Sequence, residues 1–257
     1  MNKIVDMGAY VKTTIKDKVA EIEFFSPASN SLASEQLDQL SNAIKGLGEN
    51  DGISVIHLKS AGTNVFCAGA SFDELLAIDN LENGTKFFMG FANVINAIRT
   101  CGKIVVTSVQ GKTVGGGVGI AAASDYVFAT ETASIKLSEL SIGIGPFVIE
   151  PAVTRKIGLT NMAKLSLNAT TWRTAKWAHQ AGLYHEVETT LSELNYSLDK
   201  FLKQLVSYSP QALSAMKKTM WKGTEDWASL LKERAGVSGE LVLSEETNKA
   251  LTQFKSK

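Results

Sequence analysis

Hydrophobic and polar residues change period along this chain. From residue 10 to 15 and from 19 to 25, apolar and β-branched residues alternate or cluster on either side of Lys16-Asp17-Lys18, the pattern of a hairpin. After the loop Ser26-Pro27-Ala28-Ser29-Asn30, Leu37, Leu40, Ile44 and Leu47 recur at helical spacing, which predicts an amphipathic helix that stops at Gly46 and Gly48. Apolar runs at 53–58 and 104–109 predict buried strands, and residues 72–78 and 85–100 read as helices. The glycines at 115–119 lead into a small apolar helix ending near Ser124, and 126–129 and 134–137 read as two more strands. Strand and helix alternate through roughly the first 190 residues, as in an α/β architecture with parallel pairing.

From Leu194 onward the pattern is helical throughout. Leu198, Phe201, Leu202 and Leu205 share a face, and Ser209-Pro210 has the cap and first-turn proline of a new helix. Thr224 is expected to cap another helix, with Trp227, Leu230 and Leu231 on its apolar side. No proline follows Pro210 and no glycine follows Gly239, so a helical tail to Lys257 is expected. The division is therefore a mixed core over residues 1–193 and a helical region over 194–257.

Composition narrows the function. Lys plus Arg and Asp plus Glu are both 26 in 257 residues, so no net positive field exists to hold a phosphate backbone, which argues against nucleic acid. The two cysteines, Cys67 and Cys101, sit in apolar stretches, the usage of a reducing compartment and of buried, inert thiols. Charges interrupt the apolar residues of the N-terminus too often for a signal peptide, and no run is long enough to span a bilayer, so a cytoplasmic protein without membrane contact is expected.

Two glycine-containing stretches stand out, Phe66-Cys67-Ala68-Gly69-Ala70-Ser71-Phe72-Asp73 and Gly111-Lys112-Thr113-Val114-Gly115-Gly116-Gly117-Val118-Gly119. Each follows a strand and precedes a helix, where free backbone amides favour negative charge; either they form an oxyanion hole together, or the glycines only permit tight turns. Gly111-Lys112-Thr113 fails as a phosphate loop because the position five residues earlier is Val106. Gly117-Val118-Gly119-Ile120-Ala121-Ala122 matches a dinucleotide fingerprint with Glu139 about twenty residues on, which keeps a nicotinamide-dependent oxidoreductase as a distant competitor. His57, His179 and His185 are scattered, so spacing assembles neither a metal site nor a Ser/His/Asp relay, and no metal is expected. Glu139, in apolar and glycine-rich company just beyond a strand, is either a proton carrier of raised pKa or an exposed strand-end charge. Glu150 reads as a helix-face or ion-pair residue.

These residues resemble the crotonase superfamily of enoyl-CoA hydratases and isomerases over most of the chain. The family's F-x-A-G-A-D signature is similar to Phe66 to Ser71, and its G-x-x-x-G-G-G, small helix and aspartate to Gly111 through Asp125. The resemblance implies a spiral of ββα units with a helical C-terminal region that forms trimers, often paired into hexamers. It implies an acyl-CoA thioester as substrate, with coenzyme A as part of that substrate and no separate cofactor. It assigns the oxyanion hole to the amides of Ala70 and Gly116, and the family's second catalytic glutamate to Glu139, 23 residues after Gly116. Ala28, Asn30, Ala68, Ser71, Phe72, Asp73 and Gly115 are the implied substrate-binding positions.

Departures from the family pattern are equally specific. The first glutamate of typical hydratases falls three residues after the oxyanion glycine, which is Gly119 here, and Ser71 replaces the familiar aspartate. Hydration uses two carboxylates to hold and activate water, whereas moving a double bond needs one base. Gly119, Asn30-Ser31-Leu32 and Ile144-Gly145-Pro146-Phe147 resemble the one-carboxylate isomerases; branched-substrate hydratases of the methylglutaconyl-CoA kind, decarboxylases and a catalytically silent member are the alternatives, with Glu150 as a substitute carboxylate if water is activated.

Overall fold

A computed structural model describes residues 8–255, with the side chains of the last two of these excepted. The chain opens with an antiparallel hairpin, β1 (Tyr10–Lys16) and β2 (Val19–Phe25), whose two turn residues Asp17 and Lys18 have φ of 50° and 63°. Positive φ at both central positions is what a right-twisted two-residue hairpin requires. Helix α1 (Ser34–Gly48) buries Leu37, Leu40, Ile44 and Leu47 as expected; it runs through Gly46 and ends at Gly48. Gly48 is also a close contact: a methyl group there would lie 2.8 Å from Cys101 Cβ.

Three strand–strand–helix turns of a spiral follow. The first is β3 (Val55–Ser60), β4 (Val65–Cys67), the short α2 (Phe72–Leu76) and α3 (Leu81–Thr100). The second is β5 (Ile104–Val109), β6 (Lys112–Val114) and α4 (Gly116–Ala123). The third is β7 (Tyr126–Thr130), β8 (Ser134–Lys136), a 3₁₀ turn (Glu139–Ile142) and α5 (Glu150–Ser166), bent at Gly158 where φ is 74°. Beyond it lie β9 (Arg173–Thr174), α6 (Ala175–Ala181), β10 (Glu186–Glu188) and four helices, α7 (Leu191–Ser207), α8 (Pro210–Met220), α9 (Trp227–Leu241) and α10 (Glu245–Lys255).

The first strand of each turn joins a six-stranded sheet ordered β1-β2-β3-β5-β7-β10, parallel except for the hairpin; the second joins a four-stranded sheet ordered β4-β6-β8-β9. This is the α/β spiral expected of the chain. The main core lies between the sheets and α1, α3 and α4, and the small residues of α4 let that helix run through its centre, buried from Gly117 to Ala123. Helix α7 covers the outer face of the large sheet, placing Leu194, Leu198, Leu202 and Leu205 on Val55, Ile104, Val106 and Phe128. Helix α9 crosses α3 closely enough that a methyl on Gly84 would lie 2.9 Å from Gly239 Cα. Ser209 caps α8 as expected, accepting from Ala212 N–H, but Thr224 does not cap α9; its hydroxyl turns back to Trp221 O at 2.7 Å and Asp226 holds the cap position.

Candidate active site

The small sheet explains how distant residues meet. Strands β4, β6 and β8 are parallel neighbours, with Cys67 opposite Thr113 and Val114 opposite Lys136, so the turns leaving their C-terminal ends lie side by side. Those turns carry Gly69-Ala70, Gly115-Gly116 and, three residues past Lys136, Glu139. The crevice beyond the carboxyl ends of parallel strands is the usual place for a ligand in α/β folds.

At the first turn, Leu32 N–H donates to Gly69 O at 2.8 Å and Ser71 N–H to Leu32 O at 2.9 Å. This parallel bridge straddles Ala70, so the Ala70 amide points to the opposite side. Gly69 has φ of 93°, and a methyl on it would come within 4.0 Å of Gly116 N, so the two turns are in contact. At the second turn, Gly115 adopts φ 53° and ψ −120°, open to glycine alone, and its N–H donates to Lys136 O at 3.0 Å. Gly116 begins α4, where the first amides have no acceptor inside the helix. Neighbouring amides pin both turns, while the Ala70 and Gly116 amides have no acceptor among the described residues. Two adjacent unpaired N–H groups, one on a helix N-terminus, are suited to an oxygen that acquires negative charge.

Glu139 opens the 3₁₀ turn, and a methyl on Gly115 would lie 2.9 Å from its Oε1. Its Oε2 has no accessible surface and no hydrogen-bond partner among the described residues. Burial pushes its carboxyl up to about 7 from the ordinary 4.5, against the opposing effect of its own backbone amide. The carboxyl thus lies against the Gly115-Gly116 turn, poised to gain or lose a proton near neutrality. Gly143, at the end of the same turn, packs on Thr247 of α10.

The remaining candidate positions divide into those near this centre and those that build its frame. Ala68 N–H donates to Ser29 O at 3.2 Å, which ties the first turn to the 26–30 loop. Ser71 caps α2, accepting from Glu74 N–H at 3.4 Å; Phe72 is half-buried and Asp73 is exposed. Ala28 is exposed in the loop. Asn30 is buried at φ 54°, and its side chain accepts from Ser26 N–H and donates to Ala61 O and Val65 O at 2.8 and 2.9 Å, so its amide group builds the loop. Asp125, the end of the second signature, is buried as well: it accepts from Val105 N–H and Trp221 Nε1 and pairs with Lys217 at 2.9 Å.

Two arrangements were not visible in the sequence. His57 Nε2 lies 2.9 Å from Ser108 Oγ, with its Nδ1 3.4 Å from Glu21, so three neighbouring strands do assemble a Ser/His/acid order that spacing failed to show. Glu21 also pairs with Lys59 at 3.1 Å, making the group a member of a charged network on the sheet face, away from the two glycine turns. The second arrangement concerns Gly119, whose missing side chain leaves no void: a methyl there would lie 2.4 Å from Ile149 Cγ2. Glu150, the next residue, accepts from Thr154 Oγ at 2.6 Å within its own helix.

Among the described residues no cluster of metal-ligating side chains occurs, and no helix is long and apolar enough to cross a membrane.

A family model described as enoyl-CoA hydratase/isomerase matches residues 14–257. The chain is 28% identical over 243 residues to a short-chain-enoyl-CoA hydratase of Clostridium acetobutylicum, covering 93% of this chain and 92% of that protein. It is 25% identical to a peroxisomal Δ(3,5)-Δ(2,4)-dienoyl-CoA isomerase of Arabidopsis thaliana, covering 76% and 74% respectively. The crystal structure of an enoyl-CoA hydratase from Bacillus halodurans superimposes with a TM-score of 0.88 over 95% of this chain and 99% of that one, at 24% identity.

Proposed function

Since the chain belongs to the enoyl-CoA hydratase/isomerase family, we propose that it moves the double bond of an enoyl-CoA thioester, using Ala70 and Gly116 as oxyanion donors and Glu139 as the proton carrier. The observation that carries this reading is Glu139, whose Oε2 is buried without a hydrogen-bond partner among the described residues and whose Oε1 lies against Gly115, next to the second oxyanion glycine. The thioester oxygen of the substrate sits between the two amides, so that the charge of an enolate meets preorganised donors. Each such donor typically contributes about 2.7 to 4 kcal/mol to the transition state. Ionised Glu139 removes a proton from C2, and the resulting acid returns it at C4, a contribution on the order of 100- to 10,000-fold. One carboxylate suffices for that exchange, whereas water addition requires a second group to hold and activate the water. Coenzyme A enters as a portion of the substrate, and the protein works in the cytoplasm as a homotrimer or a pair of trimers.

The test is product identity. Purified protein is given 3-enoyl-CoA and trans-2-enoyl-CoA side by side, and products are separated by chromatography. Conversion of the 3-enoyl to the 2-enoyl thioester without 3-hydroxyacyl-CoA supports the reading; 3-hydroxyacyl-CoA as the main product from trans-2-enoyl-CoA overturns it in favour of hydration.

A further inference from the structure

We infer that Ile149 sets the choice between proton transfer and water addition, by filling the place that a side chain at position 119 would occupy. The inference rests on the reading of Glu139 as the proton carrier.

Gly119 N–H donates to Gly115 O at 3.3 Å, so Gly119 lies one helical turn below the residue on which the Glu139 carboxyl rests. It is also three residues after Gly116, on nearly the same side of α4. A side chain here would therefore project close to the reacting carbons. That space belongs to Ile149 instead, whose Cγ2 and Cβ lie 2.4 and 2.7 Å from a Cβ built on Gly119, with Ile95 Cδ1 at 3.6 Å. Phe91 fills the corresponding space at Gly116, its Cε1 2.2 Å from a Cβ built there.

Ile149 is buried and held firmly: Val153 N–H donates to its carbonyl at 3.0 Å, and it packs in the main core with Val148 and Ala152. The wall along this turn of α4 is thus hydrocarbon. A water needs two to four polar partners to be held in such a place. Glu150 opens α5 just after Ile149, and its Oε1 accepts from Thr154 within its own helix.

The chemistry follows. When C2–H breaks, the proton passes to Glu139 and the electron pair spreads over the thioester oxygen and C4. The same proton then forms C4–H, the double bond settles between C2 and C3, and nothing is consumed. Water addition would instead place oxygen on C3, and on the Gly119 side the groups that a water would meet are the hydrocarbon of Ile149 and Ile95. A dry wall also keeps the transferred proton from exchanging with solvent.

The experiment compares wild type with Gly119→Glu, Ile149→Ala and the double variant Gly119→Glu/Ile149→Gly. Hydration of trans-2-enoyl-CoA and deuterium uptake at C4 during isomerisation in D2O are followed. The double variant is expected to hydrate at least about 100-fold faster than wild type, the low end of what a positioned general base contributes. Gly119→Glu alone is expected to show no gain, since Ile149 still blocks the seat. Ile149→Ala is expected to raise C4 deuterium uptake several-fold, and it keeps the idea testable if the double variant fails to fold. Wild type hydrating as fast as the double variant, or deuterium uptake unchanged in Ile149→Ala, overturns the role of Ile149 while leaving Glu139 in place. A wild-type protein that neither isomerises nor hydrates overturns the reading of the site, and the inference with it.

Discussion

Glu139→Gln should make the protein more stable while removing its activity, and the gain should depend on pH in a defined way. In the folded chain the carboxyl titrates at about 7, against 4.5 when unperturbed. The folded state therefore favours the protonated form. Below about pH 4.5 both folded and unfolded chains carry the proton and the residue imposes no ionisation penalty. As pH rises the unfolded chain ionises first and stability falls, and above about 7 the cost is complete. At about 1.4 kcal/mol for each tenfold change in proton affinity, that cost approaches roughly 3 kcal/mol. Glutamine keeps the shape and does not titrate, so the stability difference between variant and wild type should widen by that amount between pH 4.5 and 8. For a chain of this length, about 2 to 4 °C per kcal/mol turns this into a Tm difference that grows by roughly 6 to 12 °C. Thermal or urea unfolding of the two proteins at half-unit pH steps measures it. A difference that stays flat across that range would show that Glu139 is hydrated like an ordinary surface carboxylate, and would refute a raised carboxyl pKa.

Other expectations follow from the same structure. Because the base must be ionised, wild-type kcat/KM should rise about tenfold per pH unit below about 7 and level off above it, and a flat profile would argue against Glu139 as the base. Lys217 is buried and bonded to Asp125, to Lys103 O at 2.7 Å and to Cys101 Sγ at 3.3 Å. Lys217→Met should therefore cost about 3 to 5 kcal/mol in urea unfolding by leaving Asp125 uncompensated. Gly116→Ala places a methyl 2.2 Å from Phe91 Cε1 and should cost about 1 to 3 kcal/mol, some of it recovered by Phe91→Leu; calorimetry reads both. Burial pushes the Cys67 thiol up to about 12, so it should resist a thiol reagent at pH 8 until the chain unfolds, as a timed labelling experiment with mass spectrometry would show.

Much of the large sheet was legible because its elements are long enough to show a period. The hairpin, α1 and β5 follow from alternation, 3.6-residue spacing and an unbroken apolar run. The small sheet was not. Strands β4, β6 and β8 have three residues each; β8 reads as a strand at 134–137, but runs this short do not show which strands pair, and their pairing is what brings Ala70, Gly116 and Glu139 to one place. Their residues were legible as motifs, through glycines that only particular backbone angles or contacts demand. Helix ends shifted where a side chain decided them: α3 starts at Leu81, earlier than its apolar stripe, because Asn80 accepts from Asn83 N–H. The contact of Gly119 with Ile149 spans thirty residues of chain and leaves no trace in spacing. A missing carboxylate can be read from a sequence, but what fills its place depends on packing.

The most direct measurement is the isomerisation rate of 3-enoyl-CoA by wild type and Glu139→Gln, with thioester affinity measured on the same preparations by calorimetry. The account predicts that the variant binds the thioester within about twofold of wild type and turns it over at least about 100-fold more slowly. A variant that isomerises within a few-fold of wild type would contradict it.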